Sequence, residues 1–262
     1  MRVHELFSLK GQVALVTGGA GLLGAQMAEA LADAGADVVI AGRNLEQCQV
    51  VAQAIAEGFG VKVMAVRLDV TDPDEVGACV EQVVAGMGQL NVLVNNAGIA
   101  RKALLDSARL EDWKAVLDTN LTGVFLCSQA AARQMMRQRQ GKIINIASIY
   151  GMVGVDQRLY EESPGMVPGS VPYTASKGGV VNMTRDMAVY LAPYNIQVNC
   201  ISPGGFRSGQ DQAFLARYNW RVPAGRMGGP DDLKGAVVFL ASRASDYVTG
   251  HNLVVDGGWT AW

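Results

Sequence analysis

Gln12-Val13-Ala14-Leu15-Val16-Thr17-Gly18-Gly19-Ala20-Gly21-Leu22-Leu23-Gly24 is the stretch on which the fold turns. An apolar run feeds without a linker into a glycine-rich turn, and the turn into residues with helical spacing. Within it, Gly19-x-Gly21-x-x-Gly24 meets the dinucleotide fingerprint in the strand–turn–helix setting that gives the pattern meaning. Physics demands glycine here. A side chain would hold the backbone away from a pyrophosphate, whereas the free N–H groups and partial positive charge of a helix start attract one.

The rest of the chain repeats the unit. Short Val/Ile-rich runs at 12–16, 37–40, 62–66, 91–94, 142–146, 197–201 and 252–255 predict strands buried on both faces, as a parallel sheet requires. Helical spacing fills 23–34, 45–57, 73–86, 110–139, 173–191 and 231–242, with Pro73 in a first turn that Asp72 or Thr71 can cap. This alternation predicts an α/β protein with a doubly wound Rossmann fold, a seven-stranded parallel sheet carrying helices on both faces. No repeat, charge block or linker divides the 262 residues, so a single domain over 1–262 is expected to carry its own catalytic site. Segment 151–172 breaks the rhythm with prolines, glycines and charges, and reads as an inserted loop of the kind that forms lids.

Composition removes several classes of function. Lysine and arginine number 22 against 24 acids, a net charge of −2, which gives no support for nucleic acid as a partner. Half the residues are hydrophobic and 18% charged, so disorder is excluded. Cys48, Cys79, Cys127 and Cys200 lie far apart in apolar patterns, and His4 and His251 stand alone, so no metal site of familiar spacing can be assembled. The thiols read as free and buried in a reducing compartment. No secretory leader and no membrane-length apolar run is visible, so a cytoplasmic protein without a membrane partner is expected.

Two features point to chemistry. The second strand ends Val39-Ile40-Ala41-Gly42-Arg43-Asn44, where an NAD-binding site usually places a carboxylate on the adenosine ribose. Gly42 takes that place, Asp37 lies at the wrong end of the strand, and Arg43 can pair with a 2′-phosphate. NADP(H) is therefore expected over NAD(H). Farther on, Tyr173-Thr174-Ala175-Ser176-Lys177 puts a phenol and an ammonium on one helical face. A nearby cation lowers a phenol's pKa, and such a tyrosine can exchange a proton with a carbonyl or alcohol oxygen.

With these motifs in view, the chain resembles the short-chain dehydrogenase/reductase family over nearly its whole length. The resemblance is carried by Thr17–Gly24, Asp69-Val70, Asn95-Asn96-Ala97-Gly98, Asn120, Ser148, Tyr173 with Lys177, Pro203-Gly204 and Val255-Asp256-Gly257-Gly258, in family order. It implies that Tyr173 is the general acid/base and also contacts the cofactor, and that Lys177 lowers its pKa and binds the nicotinamide ribose. Ser148 would hold the substrate oxygen, and Asn120 a water linking Lys177 to solvent. Gly18, Gly21, Leu23 and Gly24 would wrap the pyrophosphate, Arg43 and Asn44 would meet the adenosine end, and Asp69 and Val70 would flank adenine. Asn96, Ala97 and Gly98 would line the ribose, while Pro203, Gly204, Phe206 and Ser208 would contact the nicotinamide end.

Departures from the family pattern are informative. Leu22 replaces a usual glycine, and the basic residue that often precedes that glycine in NADP users is absent because Gly21 stands there. Ser148 and Tyr173 are about a dozen residues farther apart than the family norm, with the excess in 151–172 overhanging the pocket. Ala100, Arg101, Ser148, Tyr150 and the residues after Pro203 would line that pocket. Arg101, Lys102, Arg158 and Arg207 concentrate cations there, which suits a sugar, polyol or keto-sugar acid. The chain is also similar to gluconate 5-dehydrogenase-like and 3-oxoacyl reductase-like members. The alternatives are a 3-oxoacyl thioester reductase or a non-catalytic cofactor-sensing protein. The resemblance further implies a homo-oligomer, a tetramer or dimer, packed through helices 110–139 and 173–191, with Ala175, Gly178 and Gly179 permitting close approach. Trp259 and Trp262 are expected to be buried.

Overall fold

Along the first strand, Val13 and Leu15 point to one face and Ala14 and Val16 to the other, and all four are buried. That arrangement is possible only where layers cover both faces of a sheet. The computed structural model describes residues 2–101, 104–160 and 170–262. Its strands are β1 (Val13–Thr17), β2 (Asp37–Gly42), β3 (Val63–Arg67), β4 (Val92–Asn95), β5 (Gly141–Ile146), β6 (Ile196–Pro203) and β7 (Asn252–Val255). They form one seven-stranded sheet, ordered β3-β2-β1-β4-β5-β6-β7, with every pairing parallel. The expected doubly wound sheet is thus present.

After the short α1 (Val3–Leu6), helices α2 (Leu22–Asp33) and α3 (Leu45–Phe59) cover one face, joined later by α9 (Lys234–Ala241). Helices α4 (Pro73–Met87), α6 (Gly123–Gln138) and α7 (Val171–Leu191) cover the other. Local chemistry sets their ends. Asn44 accepts from Gln47 N–H at 3.1 Å to start α3, and Asp72 accepts from Asp74 and Glu75 N–H to start α4 behind Pro73. The order in which strands are added to the sheet reverses between β1 and β4, which opens a crevice at their carboxyl ends.

Several expectations need correction. The helix read over 110–139 is interrupted: α5 (Leu110–Leu117) passes through a π-helical turn, Asp118–Thr122, into α6. Asn120 causes the interruption, because its amide bonds both Ile99 N–H and Ile99 C=O, at 2.8 and 2.9 Å. A helix not foreseen, α8 (Gln212–Arg221), follows β6. Its signal was present: Asp211 caps Phe214 N–H at 2.7 Å, and Phe214, Tyr218 and Val222 recur at helical spacing.

Trp259 is buried as expected, but inside its own chain against Tyr218. Trp262 is 74% exposed within the single chain, with its ring beside Arg221, so its expected burial would have to come from a subunit contact. Gly178 and Gly179 also act within the chain. A Cβ on Gly179 would meet the Leu121 side chain at 3.0 Å, and a Cβ on Gly151 would meet Gly178 N at 3.1 Å.

Candidate active site

The glycine turn forms the floor of a cleft of about 480 Å³ at the carboxyl ends of β1, β2 and β4. Gly18 has φ +60°, and a Cβ on Gly24 would fall 2.2 Å from Gly18 O. Helix α2 begins at Gly21 with no side chain capping it, so its first N–H groups remain free for an anion. Asn96 closes the floor by donating to Thr17 O and Gly18 O, both at 3.0 Å, while Thr17 Oγ1 accepts Asn96 and Ala97 N–H.

Of the residues expected at the cofactor, Gly18, Gly21, Leu23, Arg43, Asn44, Asp69, Val70, Asn96, Ala97 and Gly98 line this cleft, and Gly24 supports it from beneath. Asp69 accepts Thr71 N–H and Oγ1–H at 3.0 and 2.8 Å. Those bonds, with the charges of Arg43 and Arg67 adding to them, hold its carboxyl below the usual range. Gln47, Leu22 and Thr119 also line the cleft and were not foreseen as cofactor contacts. Gln47 lies one turn beyond the Asn44 cap, a position the sequence could have offered. Pro203, Gly204, Phe206 and Ser208 lie outside the cleft, at and after the carboxyl end of β6. Phe206 is buried with its ring 2.7 Å from where a Gly228 Cβ would sit, and Ser208 is exposed and bonded to Gln210.

The four expected catalytic residues converge from three places in the fold. Ser148, 7% exposed, follows β5 and accepts Tyr150 N–H at 3.1 Å. Tyr173 occupies the first turn of α7, where Ser170 caps its N–H, and Ser148 acts on its hydroxyl closely enough to lower the phenol's pKa. Lys177 Nζ, one turn on, donates to Ile146 O at 2.7 Å and sits 5.7 Å from the Tyr173 ring centre. Asn120 is fully buried and donates to Ser176 Oγ as well as to Ile99 O. A Cβ on Gly98 would meet both Asn120 Oδ1 and Lys177 Nζ, so the end of the cleft and this constellation are neighbours.

Electrostatics corrects one expectation. Burial pushes the Tyr173 phenol above its ordinary value, only partly offset by Ser148, and the Lys177 charge is not among the causes of its shift. Burial also lowers the pKa of Lys177 to about 8, and its ammonium donates to the Ile146 carbonyl. In this state the phenol is protonated at neutral pH. It is ready to act as an acid.

The expected cations differ in availability. Arg101 is paired with Asp112 at 2.8 Å, and Asp112, which Arg109 also grips, is held at about 2 by Arg109 first and Arg101 second. Arg158 makes two 2.8 Å bonds to Asp156. Arg207 is exposed and lines a hollow of about 210 Å³ with Gln212 and Asn219. Lys102, and 161–169 of the inserted segment, lie outside the described residues. The described part of that segment is anchored to α8: Leu159 is buried beside Phe214 and Leu215, and Arg217 Nε donates to Leu159 O at 2.9 Å.

Comparison with known proteins agrees with this geometry. The family model described as enoyl-(acyl carrier protein) reductase matches residues 19–260. The chain is 40% identical to 5-keto-D-gluconate 5-reductase of Escherichia coli K12, with 98% of each chain covered. It is 35% identical to 3-oxoacyl-[acyl-carrier-protein] reductase FabG of Aquifex aeolicus, covering 95% of this chain and 98% of that one. A crystal structure of a gluconate 5-dehydrogenase from Burkholderia cenocepacia in complex with NADP and tartrate superposes with a TM-score of 0.90, at 38% identity and with full coverage of both chains. The chain belongs to the short-chain dehydrogenase/reductase family and is an NAD(P)-dependent oxidoreductase acting on CH–OH groups.

Proposed function

We propose that the chain reduces the keto group of a sugar acid with NADPH and catalyses the reverse oxidation, using Tyr173, Ser148, Lys177 and Asn120. The observation carrying this reading is the meeting of Ser148, Tyr173 and Lys177 at the end of a glycine-floored cleft. Bound there, the nicotinamide supplies or accepts the hydride. Tyr173 Oη gives its proton to the substrate oxygen in reduction and recovers it in oxidation. Ser148 Oγ hydrogen-bonds the same oxygen and stabilises the charge that develops on it. Lys177 orients the ribose and the phenol, and Asn120 shapes the route by which the proton is replaced.

Arg43, exposed at the adenosine end with no acid at Gly42, favours a 2′-phosphate and hence NADP(H). The relative crystallised with NADP and tartrate, and the reductase of 5-keto-D-gluconate, support a sugar-acid substrate. Arg207 is the cation we assign to its carboxylate, since Arg101 and Arg158 are already paired. The likeness to a 3-oxoacyl reductase supports a thioester as the second reading.

One domain carries both sites in this proposal, and its buried, unpaired thiols suit the cytoplasm. No helix of the described residues is long and apolar enough to cross a membrane. We assign the groove between α6 and α7, lined by Phe125, Met136, Met183, Met187 and Tyr190, to a second copy in a dimer or tetramer. Absorbance at 340 nm tests the whole reading. NADPH and then NADH are supplied with keto-sugar acids, neutral ketones and an acetoacetyl thioester, with Tyr173→Phe alongside. Turnover of the keto-sugar acids that Tyr173→Phe abolishes is expected. Turnover of the thioester alone would select the second reading, and a monomer in sedimentation would refute the assembly.

A further inference from the structure

Tyr218, on the middle of α8, is 3% exposed and lies between two rings, 4.7 Å from Trp259 and 6.0 Å from Phe214. Phe214 in turn meets Tyr160, 5.4 Å away, at the end of the described part of the inserted segment. The Tyr218 hydroxyl lies in the turn after β6, where it accepts the Gly205 N–H at 2.6 Å. Contact is tight along the whole ring: a Cβ on Gly205 would come within 2.8 Å of it, and one on Gly204 within 3.2 Å of the hydroxyl.

The pairing with β7 ends at Gly204, whose N–H reaches Val255 O, and beyond it Gly228 N–H reaches Gly205 O and Arg207 N–H reaches Gly228 O. The next amide, Gly205 N–H, is held by a side chain of another element. Removing the hydroxyl alone leaves the part-buried Gly205 N–H without its acceptor, a cost the turn can relieve only by shifting. The turn carries Pro203, Gly204 and Phe206, the segment that the family resemblance implies for the nicotinamide end.

We propose that Tyr218 is a positioning residue for the nicotinamide half of the cofactor. It fixes the β6 turn through Gly205, and its ring stack ties that turn to α8 and the inserted segment. This rests on the cofactor reading above. It requires the hydroxyl to matter for the nicotinamide half and not for the adenosine half, whose cleft is built from β1, β2 and β4.

The test compares the wild-type full chain with Tyr218→Phe, which keeps the ring stack and loses only the hydroxyl. Calorimetric titration with NADPH and with adenosine 2′,5′-bisphosphate, which reaches only the adenosine half, reads the two halves separately. NADPH is expected to bind about tenfold more weakly to the variant, about 1.4 kcal/mol for one lost hydrogen bond, with the bisphosphate unchanged within about twofold. NADPH affinity unchanged, or both ligands weakened alike, would overturn the proposal. Amide exchange on the wild-type protein gives a second reading. Gly205 is expected to be protected before any ligand is added, and exchange at the rate of an open loop refutes the hold by Tyr218. A wild-type chain that binds neither ligand would sink the cofactor reading instead, and this proposal with it.

Discussion

Replacing Lys177 with methionine should make the protein's stability change with pH in a way that betrays the buried ammonium. Burial lowers the Lys177 pKa from its ordinary 10.5 to about 8. At about 1.36 kcal/mol per pKa unit, a charged Lys177 costs the folded state about 3 kcal/mol at pH 7. Between pH 8 and 10.5 the unfolded chain still holds the proton that the folded chain has released, so the wild type gains stability from this group as pH rises. Methionine has a similar length and no charge, so the variant lacks that gain. It also leaves Ile146 O without its 2.7 Å donor, a loss that does not depend on pH. The difference in unfolding free energy between variant and wild type should therefore move by about 2 kcal/mol in favour of the wild type between pH 7 and pH 9.5. Urea unfolding of both proteins at each pH and one protein concentration measures it. Parallel curves, with the difference constant across that range, would refute the argument that Lys177 is held as a depressed, desolvated amine.

Four further outcomes follow from the same geometry. Tyr173→Phe should lower kcat by about a hundredfold or more while leaving NADPH affinity intact, because it removes the proton donor and nothing from the cleft; comparable loss of binding would contradict its role. Gly24→Ala should abolish dinucleotide binding, since the new methyl group would lie 2.2 Å from Gly18 O, and fluorescence titration with NADPH reads this directly. Arg43→Asp should turn coenzyme preference toward NADH, because a carboxylate repels a 2′-phosphate and accepts from a ribose hydroxyl; an unchanged NADPH/NADH ratio of kcat/KM would remove Arg43 from the adenosine site. Arg207→Ala should raise KM for a keto-sugar acid about tenfold or more and leave a neutral ketone unaffected, whereas Arg158→Ala, already paired with Asp156, should alter neither.

The strands were legible in the sequence because each is a short apolar run buried on both faces, a pattern few other settings produce. The glycine turn was legible because close backbone approach excludes every side chain, as the Gly18 and Gly24 contacts bear out. The helix over 110–139 was misread at one place. Helical spacing records which residues face the core, and it carries no trace of a side chain that pulls the backbone into a π-turn to reach Ile99, 21 residues earlier in the chain. α8 was overlooked because its apolar stripe is short and its partners, Leu159 and Trp259, come from opposite sides of it in sequence.

By itself, then, the sequence determined the α/β class, the strand positions, the glycine turn, and which four side chains the fold would bring together beside it. All of these depend on residue type at short range or on motifs in a set order. The tertiary structure decided what depends on neighbours distant in the chain. It pairs Arg101 with Asp112 and leaves Arg207 open, and it buries Trp259 while exposing Trp262. It also turns the Lys177 ammonium to a carbonyl, and burial raises the Tyr173 pKa and lowers that of Lys177. Charge and burial are properties of what surrounds a group, and a residue's surroundings are assembled only when the chain folds.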